Sequence, residues 1–195
     1  MLESKFEDII KIEIIKEKMI PKTFSEMINK FDKLFENNSF IDKSIKIKDY
    51  FGENIGKNKA REKLLKGKII NENWLNESIG DFKGLYIFIH NNIPIYFGIS
   101  RGVINRVIQH IKGKNHFQAT LAYNIGIIYY KLLNGKEYYG KRENFNFEKY
   151  VEPIKNFLLN QNISFINVAN DEELYLLEIY CSIKYKTILN NFETH

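Results

Sequence analysis

The chain has 195 residues, 44% apolar and 27% charged, with one cysteine, three prolines and a formal net charge of +5. That length suits one domain, or one domain with an extension, and the apolar fraction excludes a disordered chain. A lone Cys181 excludes an internal disulfide framework and a four-cysteine zinc site, and no run of about 18 uncharged apolar residues is present to span a membrane.

In chain order, residues 1–80 read as a mainly helical extension. Met1 to Met19 mixes acids, lysines and isoleucines and lacks the apolar core and cleavage site of a secretory signal, so a cytoplasmic location is expected. Within it, Phe6, Ile9, Ile10 and Ile14 fit a helix, while Ile10 to Ile14 alternates like a strand. Thr23 and Glu26 form a capping box ahead of Met27, Ile28, Phe31, Leu34 and Phe35, which have helical spacing. Lys57 to Lys66 reads as a short helix closed by Gly67.

From Gly84 the period changes. Gly84 to Ile89 and Pro94 to Ile99 are two strand-like runs joined by Asn91-Asn92, the pattern of a β-hairpin. Val103, Ile104, Val107, Ile108 and Ile111 mark one face of a helix over 102–112. A longer helix over 117–133 stops at Asn134-Gly135, and Tyr138 to Asn146 is a polar, aromatic loop. Tyr150 to Leu159 is helical with Pro153 in its first turn, Ile163 to Val168 is a third strand, and Asn170 or Asp171 caps a last helix to about Lys186. The order β-β-α-α-α-β-α predicts an α/β (α+β) domain, a small sheet with helices packed around it over 81–195, preceded by the helical extension 1–80.

The charge is unevenly spread. Residues 81–150 carry ten Lys/Arg against four Asp/Glu, net +6, whereas 1–80 stand at +2 and 151–195 at −3. Arg101 to Lys114 contains four cations and no acid. A second basic run, Lys43 to Lys68, reads either as a phosphate-contacting region or as a solvated lysine-rich face.

Several polar residues sit where a fold alone has no need of them. Glu178 lies in the apolar stripe Leu174, Leu177, Cys181 and Tyr185, where a carboxylate needs either a cationic side chain or a hard metal ion. Arg106 and His110, spaced i, i+4, share one side of a helix at the rim of its apolar face. Tyr86 and Tyr96 fall on the two hairpin strands, where core packing is the ordinary role of an aromatic residue. As a set they supply a carboxylate for a metal, a guanidinium for phosphate charge, and phenol and imidazole groups for proton transfer. Phosphodiester hydrolysis needs those parts.

Gly84-Leu85-Tyr86, nine residues, then Tyr96-Phe97-Gly98, followed by Arg106, His110, Glu178 and Asn190, resembles the GIY-YIG nuclease superfamily. The Arg-x-x-x-His pair and the Asn-x-Phe-Glu-Thr-His ending, Asn190 to His195, look most like its restriction-endonuclease branch. The resemblance covers about Lys83 to His195 and implies a compact domain with a three-stranded mixed sheet and cleavage of nucleic acid, usually DNA, with one divalent metal, Mg2+ or Mn2+, held by Glu178; double-stranded DNA is the expected partner. It implies that Tyr86 is the base or its relay, that Tyr96 hydrogen-bonds phosphate or water, that Arg106 stabilises phosphate charge, that His110 accepts a proton from Tyr86, and that Asn190 orients the site. Leu85 and Phe97 depart from the family pattern but remain apolar. A homodimer on DNA is expected, since one site cuts one strand. No membrane and no organic cofactor are expected. A structure-selective or repair-type nuclease working with a partner is the alternative. A nucleic-acid binder that has lost catalysis is disfavoured, because every needed polar position is filled. The tract Tyr138 to Asn146 is a source of residues to reach base edges.

Overall fold

The computed structural model describes residues 23–187, 189 and 190. The chain divides into two compact units, 1–34 and 35–195. In the first, helix α1 (Phe24–Leu34) begins at the expected capping box. Thr23 Oγ accepts the Glu26 N–H at 3.3 Å, and the Glu26 carboxylate accepts the Thr23 N–H at 2.7 Å. The ambiguous stretch Leu2 to Met19 lies outside the described residues.

The second unit runs through α2 (Ser39–Asp42), β1 (Ile45–Lys46), α3 (Ile47–Phe51) and α4 (Lys57–Lys66) to a short antiparallel ladder of β2 (Leu75–Asn76) with β3 (Asp81–Phe82). Then come β4 (Gly84–His90), β5 (Ile93–Ser100), α5 (Val103–Lys112) and α6 (Thr120–Asn134). The chain closes with α7 (Phe147–Tyr150), α8 (Glu152–Leu159), β6 (Asn162–Asn167) and α9 (Asp171–Tyr185). The hairpin turn falls at Asn91 and Asn92, both left-handed at φ 48° and 63°, a conformation that asparagine tolerates and a tight hairpin requires. Helix α6 ends at Gly135, also left-handed, and Asn170 caps α9 by accepting the Glu173 N–H at 2.7 Å.

The main sheet corrects one expectation. It has four strands in the order β1-β6-β4-β5, and every neighbouring pair is antiparallel, where three strands in a mixed sheet were expected. The four helices α5 to α8 between β5 and β6 carry the chain back across β4, so β6 runs the same way as β5 but on the far side of β4. Both neighbours of β4 therefore oppose it. The fourth strand is only two residues long, too short for sequence alternation to mark it.

Alternation puts Tyr86 and Phe88 of β4 on one face, where Phe88 pairs with Tyr96 of β5 and Tyr86 with Gly98. That face packs on α5 through Val103, Ile104 and Val107. Phe97 points to the opposite face and meets Phe35, Phe40 and Tyr185. Ile47, Phe51, Ala60, Leu64 and Ile70 belong to the same buried cluster as Phe82, Tyr86 and Val107, so the α3–α4 region completes the core beneath the hairpin. Lys112 ties this region to the end of α5, its ammonium donating to the carbonyls of Gly52 (2.6 Å), Glu53 (3.3 Å) and Ile55 (2.8 Å).

Candidate active site

Helix α5 carries two of the candidate residues, and its position is set by Asp81. This carboxylate is fully buried and accepts the N–H groups of Ile104 (2.9 Å) and Asn105 (3.0 Å) in the first turn of α5, as well as its neighbour Phe82 N–H (2.8 Å). The negative charge meets the exposed N–H groups and the positive end of the helix dipole, and Lys57 balances it at 3.5 Å. Ser100 Oγ accepts the Gly102 N–H at 3.0 Å at the entry to the same helix.

One turn apart on α5, Arg106 and His110 reach the tyrosine face of the sheet. His110 is fully buried among the rings of Tyr86, Phe88 and Tyr96. Its Nε2 lies 2.7 Å from the Tyr86 hydroxyl, and its Nδ1 accepts the backbone N–H of Leu121, in the first turn of α6, at 3.3 Å. An Nδ1 that accepts carries no proton, so the network assigns the neutral imidazole's proton to Nε2, which donates to the Tyr86 oxygen. Burial, and then the charge of Arg106, hold the imidazole well below its usual pKa, so it is neutral at physiological pH.

Tyr86 is itself buried. Burial and then Tyr96 push its phenol well above the ordinary value, while Arg106 acts against them by charge and hydrogen bonding. Tyr96 is half-buried and likewise raised, first by burial and next by the nearby Glu178 carboxylate. Gly98 makes room for the pair. A Cβ there would collide with the Tyr86 ring and hydroxyl and stand 2.6 Å from the Tyr96 ring. Gly84 has a parallel role, because a Cβ there would strike the Ile166 carbonyl of β6. The glycines of the two tripeptides are thus places of close approach.

Glu178 stands half-buried on α9, which packs along β5. Its carboxylate makes no ion pair and no side-chain hydrogen bond among the described residues, and burial lifts its pKa from the ordinary 4.5 to about 7. Of the two readings of this residue, the salt bridge to a buried cation is not found among the described residues. Among the described residues, no group of three His, Cys, Asp or Glu side chains gathers around one point. A cation here would therefore rest on one carboxylate and take its remaining oxygens from water and substrate, the usual habit of magnesium.

Tyr86, Tyr96, Arg106, His110 and Glu178 are brought together. Asn190 is placed differently, on the outer edge of β5. Its amide accepts the Phe97 N–H at 3.0 Å and donates to the Phe97 carbonyl at 2.5 Å, as a neighbouring strand would. Thr187 supports it at 2.9 Å. The residue next to Tyr96 is thus clamped through its backbone. His116 is buried in a ring cluster and engages the Phe145 carbonyl at 2.8 Å. Cys181 is buried in the α9 stripe. His195 lies outside the described residues.

Sequence reasoning passed over two groups: Asp81 and the Leu121 N–H. Only a weak signal existed for the first, an aspartate ahead of a helix but twenty-odd residues from the N–H groups it caps.

The family model of the GIY-YIG catalytic domain fits residues 68–195. No curated protein and no solved structure matches the chain. No helix among the described residues is long and apolar enough to cross a membrane.

Proposed function

Because the chain belongs to the GIY-YIG catalytic domain family, a family of nucleases, we propose that it is a metal-dependent endonuclease cutting phosphodiester bonds in double-stranded DNA, of a restriction-like or defence-related kind. The observation that carries this reading is the unpaired, half-buried Glu178 carboxylate beside Tyr96, on a site that also holds Arg106, Tyr86 and His110. A buried carboxylate without a cation is costly, and a divalent ion is the partner that fits it.

Glu178 would hold Mg2+ or Mn2+, which when bound would polarise the scissile phosphate and acidify a coordinated water. Arg106 has no carboxylate partner among the described residues; besides its hydrogen bonds to Gln109, at 3.1 Å, and to the Tyr86 phenol, its guanidinium has N–H groups to offer phosphate oxygens. Tyr86 acts as the base in its phenolate form: once its phenol proton has been released to solvent, its oxygen takes the proton of the attacking water. The Nε2–H of His110 and the guanidinium of Arg106 both favour its phenolate, opposing the burial that disfavours it. In this reading His110 donates to Tyr86 rather than receiving its proton, because Nδ1 already takes the Leu121 N–H. Tyr96 hydrogen-bonds the phosphate or the water, and Asn190 keeps the β5 backbone in place beside it. Two copies acting on opposite strands would make the double-strand cut.

The test is cleavage of supercoiled plasmid by wild type and by Glu178→Ala with Mg2+ or Mn2+. Linear product from wild type alone is expected. No cutting of any DNA by wild type, or equal cutting by the variant, overturns the reading. Sequencing the ends distinguishes a fixed recognition site from structure-selective cutting.

A further inference from the structure

The chain uses lysine for nearly all its positive charge: it has 25 lysines and four arginines. Two of those arginines, Arg106 and Arg142, are close enough for the charge of one to disfavour the charge of the other. Arg142 stands in a short helical turn, Arg142–Asn144, inside the polar aromatic tract that follows α6. Its guanidinium is held in a fixed pose. It lies over the Tyr123 ring at 4.3 Å and the Phe117 ring at 5.0 Å from the centroids, and Nη2 donates to the His116 carbonyl at 2.5 Å. Tyr123 is one turn into α6, the helix whose Leu121 N–H is bound by His110, so the stack is built directly onto the tyrosine–histidine pair.

What the pose lacks is an anion. Arg101, Lys57, Lys83, Lys131 and Lys155 each pair with a carboxylate, whereas neither Arg106 nor Arg142 does among the described residues. Arg142 Nε is buried and has no hydrogen-bond partner among the described residues. A half-exposed guanidinium stacked on two rings, one hydrogen bond short and beside a second cation, is oriented for a ligand with a negative charge and several oxygens. Stacking occupies the π faces and leaves in-plane N–H groups for such oxygens.

We propose that Arg142 is a second phosphate-binding residue, holding a phosphate of the DNA strand next to the one held by Arg106. It rests on the endonuclease reading of the site. Arg142 acts in binding and in registering the strand, so that the scissile phosphate comes to lie over Tyr86 and Glu178, while proton transfer belongs to Tyr86.

The test measures binding of a short duplex, without divalent metal, by the Glu178→Ala protein and by the same protein carrying Arg142→Gln, as salt is raised. Loss of one phosphate contact lowers the slope of log affinity against log salt by about 0.9. The expected result is that drop, with affinity about tenfold weaker at moderate salt. An unchanged slope overturns the proposal, since a latch that only fastened the loop to His116 would alter melting temperature and leave the slope alone. A second measurement uses the unmutated chain: DNA should protect Arg142 from modification by an arginine-specific dicarbonyl reagent, read by mass spectrometry. An equal rate with and without DNA overturns it. Plasmid cleavage by wild type, run in parallel, separates the two readings. Cutting without an Arg142 effect refutes this proposal alone, and absence of any DNA binding refutes both.

Discussion

The Tyr86 hydroxyl and the His110 Nε2 lie 2.7 Å apart in a fully buried contact, and the far nitrogen of the same ring is taken by a backbone N–H of the next helix. The imidazole is therefore both a helix cap for α6 and the donor that fixes the Tyr86 oxygen. Its orientation cannot change without leaving the Leu121 N–H unsatisfied.

Tyr86→Phe is expected to keep the fold and lower the cleavage rate by about 10²–10⁴-fold, the range for losing a positioned acid–base group. DNA affinity should change little. Single-turnover cleavage beside a binding titration checks this, and a variant within threefold of wild type in rate would exclude Tyr86 as the base.

Glu178 gives a stability prediction of definite sign. Its folded pKa of about 7 lies above its ordinary 4.5. Between these values the unfolded chain has released the proton and the folded chain retains it, so stability falls as pH rises through that window. Near pH 8 without divalent metal, Glu178→Gln should melt at a higher temperature than wild type, and the two should converge towards pH 4.5. Added Mg2+ should raise the wild-type melt and not that of the variant. Melts that stay parallel at every pH would show that the carboxylate is not strained by burial.

Gly98→Ala tests the space between the tyrosines. The added methyl group must displace the Tyr86 phenol or the Tyr96 ring. A shift of about 1 Å at a reacting group can cost 10²-fold in rate, and overpacking costs about 1–3 kcal/mol in stability. The expected outcome is a rate loss of at least about 10²-fold with a modest fall in melting temperature. Full activity would mean that the pair has slack the packing denies.

Asp81→Ala removes the buried cap of α5. Three N–H groups lose a charged acceptor and Lys57 loses its partner. Destabilisation of about 3 kcal/mol is expected, from a lost cap and unsatisfied donors. The cleavage rate should fall too, because Arg106 and His110 ride on that helix. Chemical denaturation and kinetics on one preparation check both. A drop below about 1 kcal/mol would show that water replaces the carboxylate.

Local chemistry made much of this protein legible before any fold was known. Asn91-Asn92 between two alternating runs specified the hairpin. Alternation then put Tyr86 and Tyr96 on one face, since two-residue periodicity is a property of the strand itself. The i, i+4 spacing of Arg106 and His110, the Thr23–Glu26 box, the Gly67 and Gly135 stops and the Asn170 cap are local in the same way. Glu178 stood out because a carboxylate interrupts an apolar stripe.

The tertiary structure decided what depends on distant partners. Lys46 pairs with Asn162, Asp81 with the N–H groups of Ile104 and Asn105, Leu121 with His110, and Asn190 with Phe97, 93 residues away. No periodicity encodes such pairings, because each follows from how the helices carry the chain back over the sheet. The resemblance implied that His110 meets Tyr86, while only packing against α6 determined which nitrogen holds the proton. The sequence likewise counted the positive charge of the central third, and only the fold brought Arg142 within electrostatic reach of Arg106 and left Glu178 without a cationic side chain among the described residues.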